Sequence, residues 1–167
     1  MELKLQSSVD ADFAFRCIAE FEKYPEFVDE VRSVVVTRTE GNELLSEWDI
    51  FFRNGPLRWS EVDYFQPAQR RIVFEQTAGD FEIFRGSWQV DAVEDGCAVT
   101  FEATFDFGIP SLAGVLEPIA TKVLKEAIAT IVHQLLGGAT VVGDPATAAA
   151  VLARIERKRE TAAALAV

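Results

Sequence analysis

Residues 57–65, LRWSEVDYF, alternate large rings with carboxylates. Trp59, Glu61, Asp63 and Phe65 share one side of an extended chain, and Arg58, Ser60, Val62 and Tyr64 share the other. With the first set inward, two carboxyls stand in a ring-lined interior. Burial raises the pKa of such groups and suits one of them to take or give a proton beside a ketone, enolising it or expelling a hydroxyl as water. With the second set inward the acids are solvated, and Tyr64 is a buried phenol able to donate to a developing oxyanion. Alternation alone leaves both arrangements open.

Two more candidates lie elsewhere. Glu126, Thr130 and His133 fall along one edge of a helical pattern, next to its apolar stripe. Glu126 and His133 stand about 10 Å apart along a helix axis, so they act separately if they act at all. His133 is a catalytic candidate, although a histidine beside an apolar stripe more often sits at a core edge. Arg85, next to Gly86, is a candidate for the polar end of a ligand, against the plainer reading of a surface ion pair.

Composition narrows the chemistry. The 167 residues carry a net charge of −11, which argues against nucleic acid and against docking on anionic membranes. Residues 1–110 hold 22 acids against 10 bases, whereas 111–167 hold 5 against 6. One histidine and two cysteines, Cys17 and Cys97, without a CxxC, leave no ligand set for zinc or haem, so no metal or redox cofactor is expected. The opening MELKLQSSVD has no apolar signal region and no 18-residue apolar run follows, so a reduced, cytoplasmic setting is expected. Thirteen Phe against two Tyr imply a ring-rich interior, either packed or holding a greasy ligand.

The elements that position these residues follow from periodicity. Leu3, Leu5 and Val9 start a strand. Asp10 then caps a helix whose apolar face is Phe13, Phe15, Ile18 and Ala19, and FEKYPEFVDEV forms a second short helix around Pro25. The period changes to two over six segments: VRSVVVTRT, ELLSEWDIFFR, LRWSEVDYF, RRIVFEQT, FEIFRGSWQVDAV and CAVTFEATFDF. Turns at Glu40-Gly41-Asn42, Asn54-Gly55-Pro56, Gln66-Pro67, Ala78-Gly79-Asp80 and Glu94-Asp95-Gly96 make them antiparallel neighbours. Leu44, Ser46, Trp48, Ile50 and Phe52 face in against Glu47, Asp49 and Arg53, and Val99, Phe101, Ala103 and Phe105 share the inner face of the last strand. A helical pattern runs from Pro110 to Leu136 on the stripe Leu116, Ile119, Ala120, Val123, Ala127 and Ile131, with a kink or break expected near Glu117 from Pro118. Residues 138–167 form an alanine-rich tail, capped by Asp144-Pro145 and carrying Arg154, Arg157, Lys158 and Arg159. Its thin apolar face predicts a marginal helix, docked or frayed.

Strand, two short helices, six antiparallel strands and a long helix is the order of the helix-grip fold. The segments FEKYPEFVDEVRSV, GPLRWSEVDYFQPAQRRIVFEQTAGDFEIFRGSW and FDFGIPSLAGVLEPIATKVLKEAI resemble the polyketide cyclase/dehydrase and coenzyme Q-binding branch of the START-related (SRPBCC) superfamily. The resemblance implies an α+β fold, with a curved antiparallel sheet of about seven strands wrapped round the long helix in residues 1–137. It also implies a deep cavity between sheet and helix. It further implies a ketone-polarising arginine in the strand after Trp59. This chain has Ser60-Glu61-Val62-Asp63 there and no base until Arg70, leaving Arg85, or Arg58 across a bulge, as substitutes.

The expectation is therefore a cofactor-independent polyketide cyclase/aromatase-type enzyme. Glu61, Asp63, Tyr64 and His133 are its candidate catalytic groups. Its ligand contacts are expected from Trp48, Trp59, Phe84, Arg85, Trp88, Phe101 and Phe105 on strands, and from Ile119, Val123 and Ala127 on the helix. An acyl carrier protein is a conceivable source of substrate, and a homodimer a conceivable assembly. The alternative is a non-catalytic carrier of a quinone or other lipid. A ligand-responsive interaction protein using the basic tail is a third class.

Overall fold

The alternating segments assemble into one antiparallel sheet of eight strands, in a computed structural model that describes residues 1–52 and 55–165. The strands are β1 (Glu2–Ser7), β2 (Val31–Arg38), β3 (Glu43–Phe52), β4 (Gly55–Gln66), β5 (Arg71–Gly79), β6 (Ile83–Val93), β7 (Gly96–Asp106) and β8 (Thr140–Val142). Their order is β2-β3-β4-β5-β6-β7-β1-β8, so hairpins link β2 to β7 and β1 closes against β7. Arg53 and the Asn54 position of the β3–β4 turn lie outside the described residues. The eighth strand differs from the seven read in the sequence. Three residues of the tail, too short to announce a strand, pair with Lys4–Gln6 at the edge of β1.

Between β1 and β2, α1 (Ala11–Ile18) begins where the Asp10 carboxylate accepts the N–H groups of Asp12 and Phe13, each at 3.0 Å. Ala11, Ala14, Phe15 and Ile18 are its buried face, while Phe13 turns out to solvent. A 3-10 turn over Phe21–Glu26 follows, with Pro25 within it, and it buries Phe21 and Tyr24.

The long helix α2 (Ala113–Leu135) lies across the concave face of the sheet. It runs unbroken through Pro118, so of the kink or break expected there no break occurs. Pro118 falls in an early turn of α2, after a 3-10 turn over Pro110–Leu112, where a missing N–H and a local clash are more easily absorbed than deep in a packed helix. The fully packed part comes later, with every residue from Ala127 to Val132 buried.

The tail is docked over its first half. Asp144 accepts from the Thr147 N–H at 3.0 Å and pairs with Lys125 on α2 at 2.9 Å, and together these hold its carboxyl down at about 2. They start α3 (Pro145–Leu165), which buries Thr147 and Val151 and leaves its last turns exposed.

Gly86 on β6 shows how tightly the sheet is packed at its centre. A Cβ there would lie 1.9 Å from the Glu102 carbonyl oxygen and 2.7 Å from the Phe74 ring, so only glycine lets Phe74 cross β6. Gly86→Ala is expected to lower the unfolding free energy by about 2–3 kcal/mol, read from urea midpoints. A wild-type midpoint would mean that the sheet yields at this crossing.

Candidate active site

The pleat of β4 decides between the two arrangements. Leu57, Trp59, Glu61 and Asp63 point into the interior, and Arg58 and Tyr64 point out. The register then places Ser46 of β3 opposite Glu61, and Trp48 opposite Trp59. Glu61 and Asp63 retain 4% and 0% of their surface, so both are committed to the protein interior.

Donors converge on them. Trp59 Nε1 donates to Glu61 Oε2 at 2.7 Å, and Trp48 Nε1 donates to Ser46 Oγ at 2.9 Å. The two indoles stack parallel, with centroids 5.6 Å apart, so one stacked pair supplies both N–H groups. Ser46 Oγ lies 2.5 Å from Asp63 Oδ2 and 3.4 Å from Glu61 Oε1. A hydroxyl has one proton, which goes to the shorter contact with Asp63, leaving a lone pair towards Glu61. Asp63 Oδ1 is buried with no partner.

Two buried carboxyls at this spacing do not both ionise. Burial pushes Glu61 well above the usual carboxylate range, and the neighbouring Asp63 charge pushes it further. Asp63 is raised by burial to about 6, held there against further rise by Ser46 and by Glu61. Both are pushed towards the protonated form, so the pair keeps a shared proton to higher pH than an isolated carboxyl would. Tyr24 is held neutral by burial and then by the same two acids, and its hydroxyl donates to the Ile18 carbonyl at 2.7 Å.

Glu61 opens onto a cavity of about 70 Å³ between the sheet and α2. The strands supply rings from Trp48, Trp59, Phe74, Phe84, Trp88 and Phe101, and α2 supplies Val123, Leu124, Ala127, Ile128 and Ile131. Phe21 and Tyr24 close the wall beside β2. The space is a slot for about five waters, narrower than the deep cavity expected, because these rings interlock across it. Asp63 stands behind this wall and meets the slot only through Ser46 and Glu61.

Several expected site residues lie elsewhere. Tyr64 is 40% exposed on the outer face, because it has the opposite parity to Glu61 on β4. Arg85 is exposed on that same outer face, by the same rule on β6, and Arg58 pairs there with Asp49 at 2.9 Å. Neither arginine replaces the missing cation, and among the described residues no Lys, Arg or His lines the cavity. His133 is at the end of α2, where its Nδ1 lies 2.8 Å from the Ala139 carbonyl and 3.2 Å from the Ala139 nitrogen, fastening the turn into β8. Glu126 pairs with Arg154 at 3.3 Å, away from the slot. Phe105 packs on Phe81 and Phe107 beyond the cavity's end, and Ile119 is half-buried an α2 turn short of it.

Ser46, Tyr24 and Phe21 carried no role in the sequence reading. Ser46 left a signal: a lone hydroxyl in the inward row Leu44, Trp48, Ile50 needs a buried partner. Tyr24 and Phe21 left none, because a 3-10 turn has no amphipathic period long enough to read.

The family model for polyketide cyclase/dehydrase and lipid transport matches residues 7–132. The chain belongs to this family. No curated protein matches it. Among solved structures it is similar to TTHA0849 from Thermus thermophilus, at 22% identity and a TM-score of 0.72, covering 82% of this chain and 95% of that one. It is similar to the Zhui aromatase/cyclase from Streptomyces sp. R1128, at 14% identity and TM-score 0.66, over 82% and 90% of the two chains. A START superfamily protein from Mycobacterium smegmatis gives 15% identity and TM-score 0.65 over 82% and 96%. At these identities the family member shares a fold with them, the helix-grip architecture expected from element order. No described helix is long and apolar enough to cross a membrane.

The carboxyl pair makes stability fall with rising pH. Both groups are raised in the folded state, so their contribution is complete below the unfolded value near 4 and is lost as pH climbs. Asp63's part is lost by about pH 6, and Glu61's continues above it. The Asp63 shift alone corresponds to on the order of 3 kcal/mol. Urea midpoints between pH 4 and 8 are expected to fall less steeply for Glu61→Gln than for wild type, and parallel curves would mean that the acids are not buried together.

Proposed function

We propose that this family member is a cofactor-independent cyclase/dehydratase acting on a hydrophobic, polyketide-like ketone, with Glu61 as the group that moves the proton. The observation carrying this reading is a buried carboxyl facing a ring-lined slot and linked through Ser46 to a second buried carboxyl. The polyketide cyclase/dehydrase family description supports the substrate class, and structural likeness to the Zhui aromatase/cyclase supports the reaction type.

In the resting state Glu61 is a neutral acid able to hydrogen-bond a ketone oxygen. Transfer of its proton to Ser46 Oγ, with the Ser46 proton passing to Asp63 Oδ2, turns Glu61 into a carboxylate without loss of a proton from the site. That carboxylate takes the acidic proton of a methylene between two carbonyls, and the enolate carbon adds to a second carbonyl of the same chain, closing a ring. The new alkoxide takes the Glu61 proton and becomes a hydroxyl. In the second half Glu61 removes the remaining α-proton and returns it to the departing hydroxyl, so water leaves and a double bond forms. Holding both ends of one chain together between the rings supplies a large part of the acceleration.

An occupant of that size needs the early part of α2 to move off the sheet. In and just before it Ile109, Leu112 and Val115 are exposed, and the Pro118 N–H is absent. The second reading, a carrier of quinone or lipid, is favoured by the mainly apolar lining of the slot, in which Glu61, Glu30 and Tyr24 are the polar exceptions, and by the lack of a cavity-facing cation among the described residues.

Glu61→Gln is expected to reduce cyclisation of a poly-β-ketone thioester by about 10²–10⁴-fold while product binding, followed by Trp fluorescence, stays within threefold or so of wild type. Ser46→Ala is expected to give a smaller loss and to shift the pH–rate profile. Unchanged turnover in Glu61→Gln would sink the catalytic reading and leave the carrier.

A further inference from the structure

Outside the slot, one surface groove stands apart from the acidic body. It has a volume of about 470 Å³ and runs between α3, the last turns of α2 and residues 27–30. Arg154, Arg157 and Lys158 of α3 line it, facing Asp29 and Glu30. With Glu126 behind Arg154, the three cations stand against three carboxylates, a locally balanced patch on a chain whose net charge is −11, and two of the cations, Arg157 and Lys158, lie outside the Arg154 ion pairs.

Its relation to the interior is set by Glu30, which lines both the groove and the ring-lined slot. Arg154 holds Glu30 at 2.7 Å and also reaches Glu126 at 3.3 Å, so a single guanidinium pins the partition between the two spaces. That ion pair neutralises Glu30 and Arg154 against each other. Lys158 donates to the Phe27 carbonyl at 3.1 Å and the Gln134 side-chain oxygen at 3.3 Å, both neutral, so its charge stays uncompensated. Among the described residues Arg157 has no ion-pair partner. Two unspent cations thus stand at the outer side of a thin wall whose inner side is greasy. α3 lies beyond residue 132, where the family model ends, so this arrangement is not part of the shared family core.

We propose that the groove is a mouth of the cavity and binds the oxyanion end, carboxylate or phosphate, of a ligand whose hydrophobic part occupies the slot. This rests on the reading of the slot as a ligand site, though not on its catalysis. The anion meets Arg157 and Lys158, Arg154 exchanges one of its two carboxylates for it, and Glu30 swings aside to join groove and slot. Charge at the mouth and rings within select amphiphiles over neutral ligands of the same shape.

The test compares 4-phenylbutyrate with 4-phenylbutan-1-ol, identical but for the oxyanion, by calorimetry and Trp fluorescence on the full chain, with 4-phenylbutyl phosphate as a third probe. The expected result is binding of the carboxylate on the order of tenfold tighter than the alcohol, a preference that shrinks in 1 M salt. Preference for phosphate over carboxylate would identify a phosphorylated head, and the reverse a free acid. Arg157→Gln is expected to remove part of this preference and Arg157→Gln/Lys158→Gln nearly all of it, with alcohol affinity unchanged. Should the double variant lose both ligands through loosening of α3, Arg157→Gln alone decides, since that side chain holds no other element. Equal binding of acid and alcohol, a preference indifferent to Arg157, or binding of no probe overturns the proposal. An anion preference that persists in Glu61→Gln, whatever that variant does to turnover, separates this inference from the catalytic one.

Discussion

One proton shared between two buried carboxyls governs the architecture around it. An isolated ionised carboxylate in such an interior costs several kcal/mol, and two would repel as well. The chain meets this cost with directed donors rather than with an arginine. Trp59 serves Glu61, and Trp48 serves Ser46, which serves Asp63. Each of these groups depends on strand register. A one-residue slip between β3 and β4 would replace Ser46 by a neighbour of opposite parity, and would unstack the indoles. The register shift between Ser60 and Glu61 against β5 sits beside the pair and brings Gln76, instead of Thr77, opposite Glu61.

The fold was largely legible because its strands alternate cleanly and its turns carry Gly and Pro. Asp10, Asp144-Pro145 and the inward rows of β3 and β7 needed nothing but local rules. The site was half legible. Alternation grouped Trp59 with Glu61 and Asp63 but could not say which side was inside, since each parity carried both an aromatic ring and polar groups. Tertiary packing decides that, through the ring-lined rows that flank β4. The helix residues fared worse. Glu126 and His133 sit at the border of the apolar stripe, where a small rotation of the helix separates a cavity from a neighbouring element. The neighbours here were α3 and β8, whose docking no periodicity announced.

That docking changes what the tail is. Read alone, an alanine-rich helix with a thin apolar face is marginal. Its order comes from charge at both ends of the contact: Asp144 with Lys125 at the start, and Arg154 with Glu30 and Glu126 further on. Those pairs tie α3 to the later, well-packed turns of α2 and leave the early turns without such support. The sheet-facing helix is thus tied to α3 along its later turns, while among the described residues its exposed apolar start carries no such pair.

The lack of a cavity-facing cation among the described residues bears on which chemistry this wall suits. An arginine polarises a ketone but is never deprotonated at working pH, so it stabilises an enolate without making one. A carboxyl whose proton is held by burial can serve as acid in one microstate and base in the other, provided a partner stores the proton between them. In the proposed mechanism Asp63 provides that storage. It is raised only to about 6, so it stays charged at rest, and it is reached by a 2.5 Å contact with Ser46. Its unpartnered Oδ1 leaves one lone pair without compensation, which keeps it ready to accept. A wall of this kind favours reactions that remove and return a proton within one turnover, as aldol closure followed by dehydration does. It gives little advantage to a step that needs only a fixed positive charge.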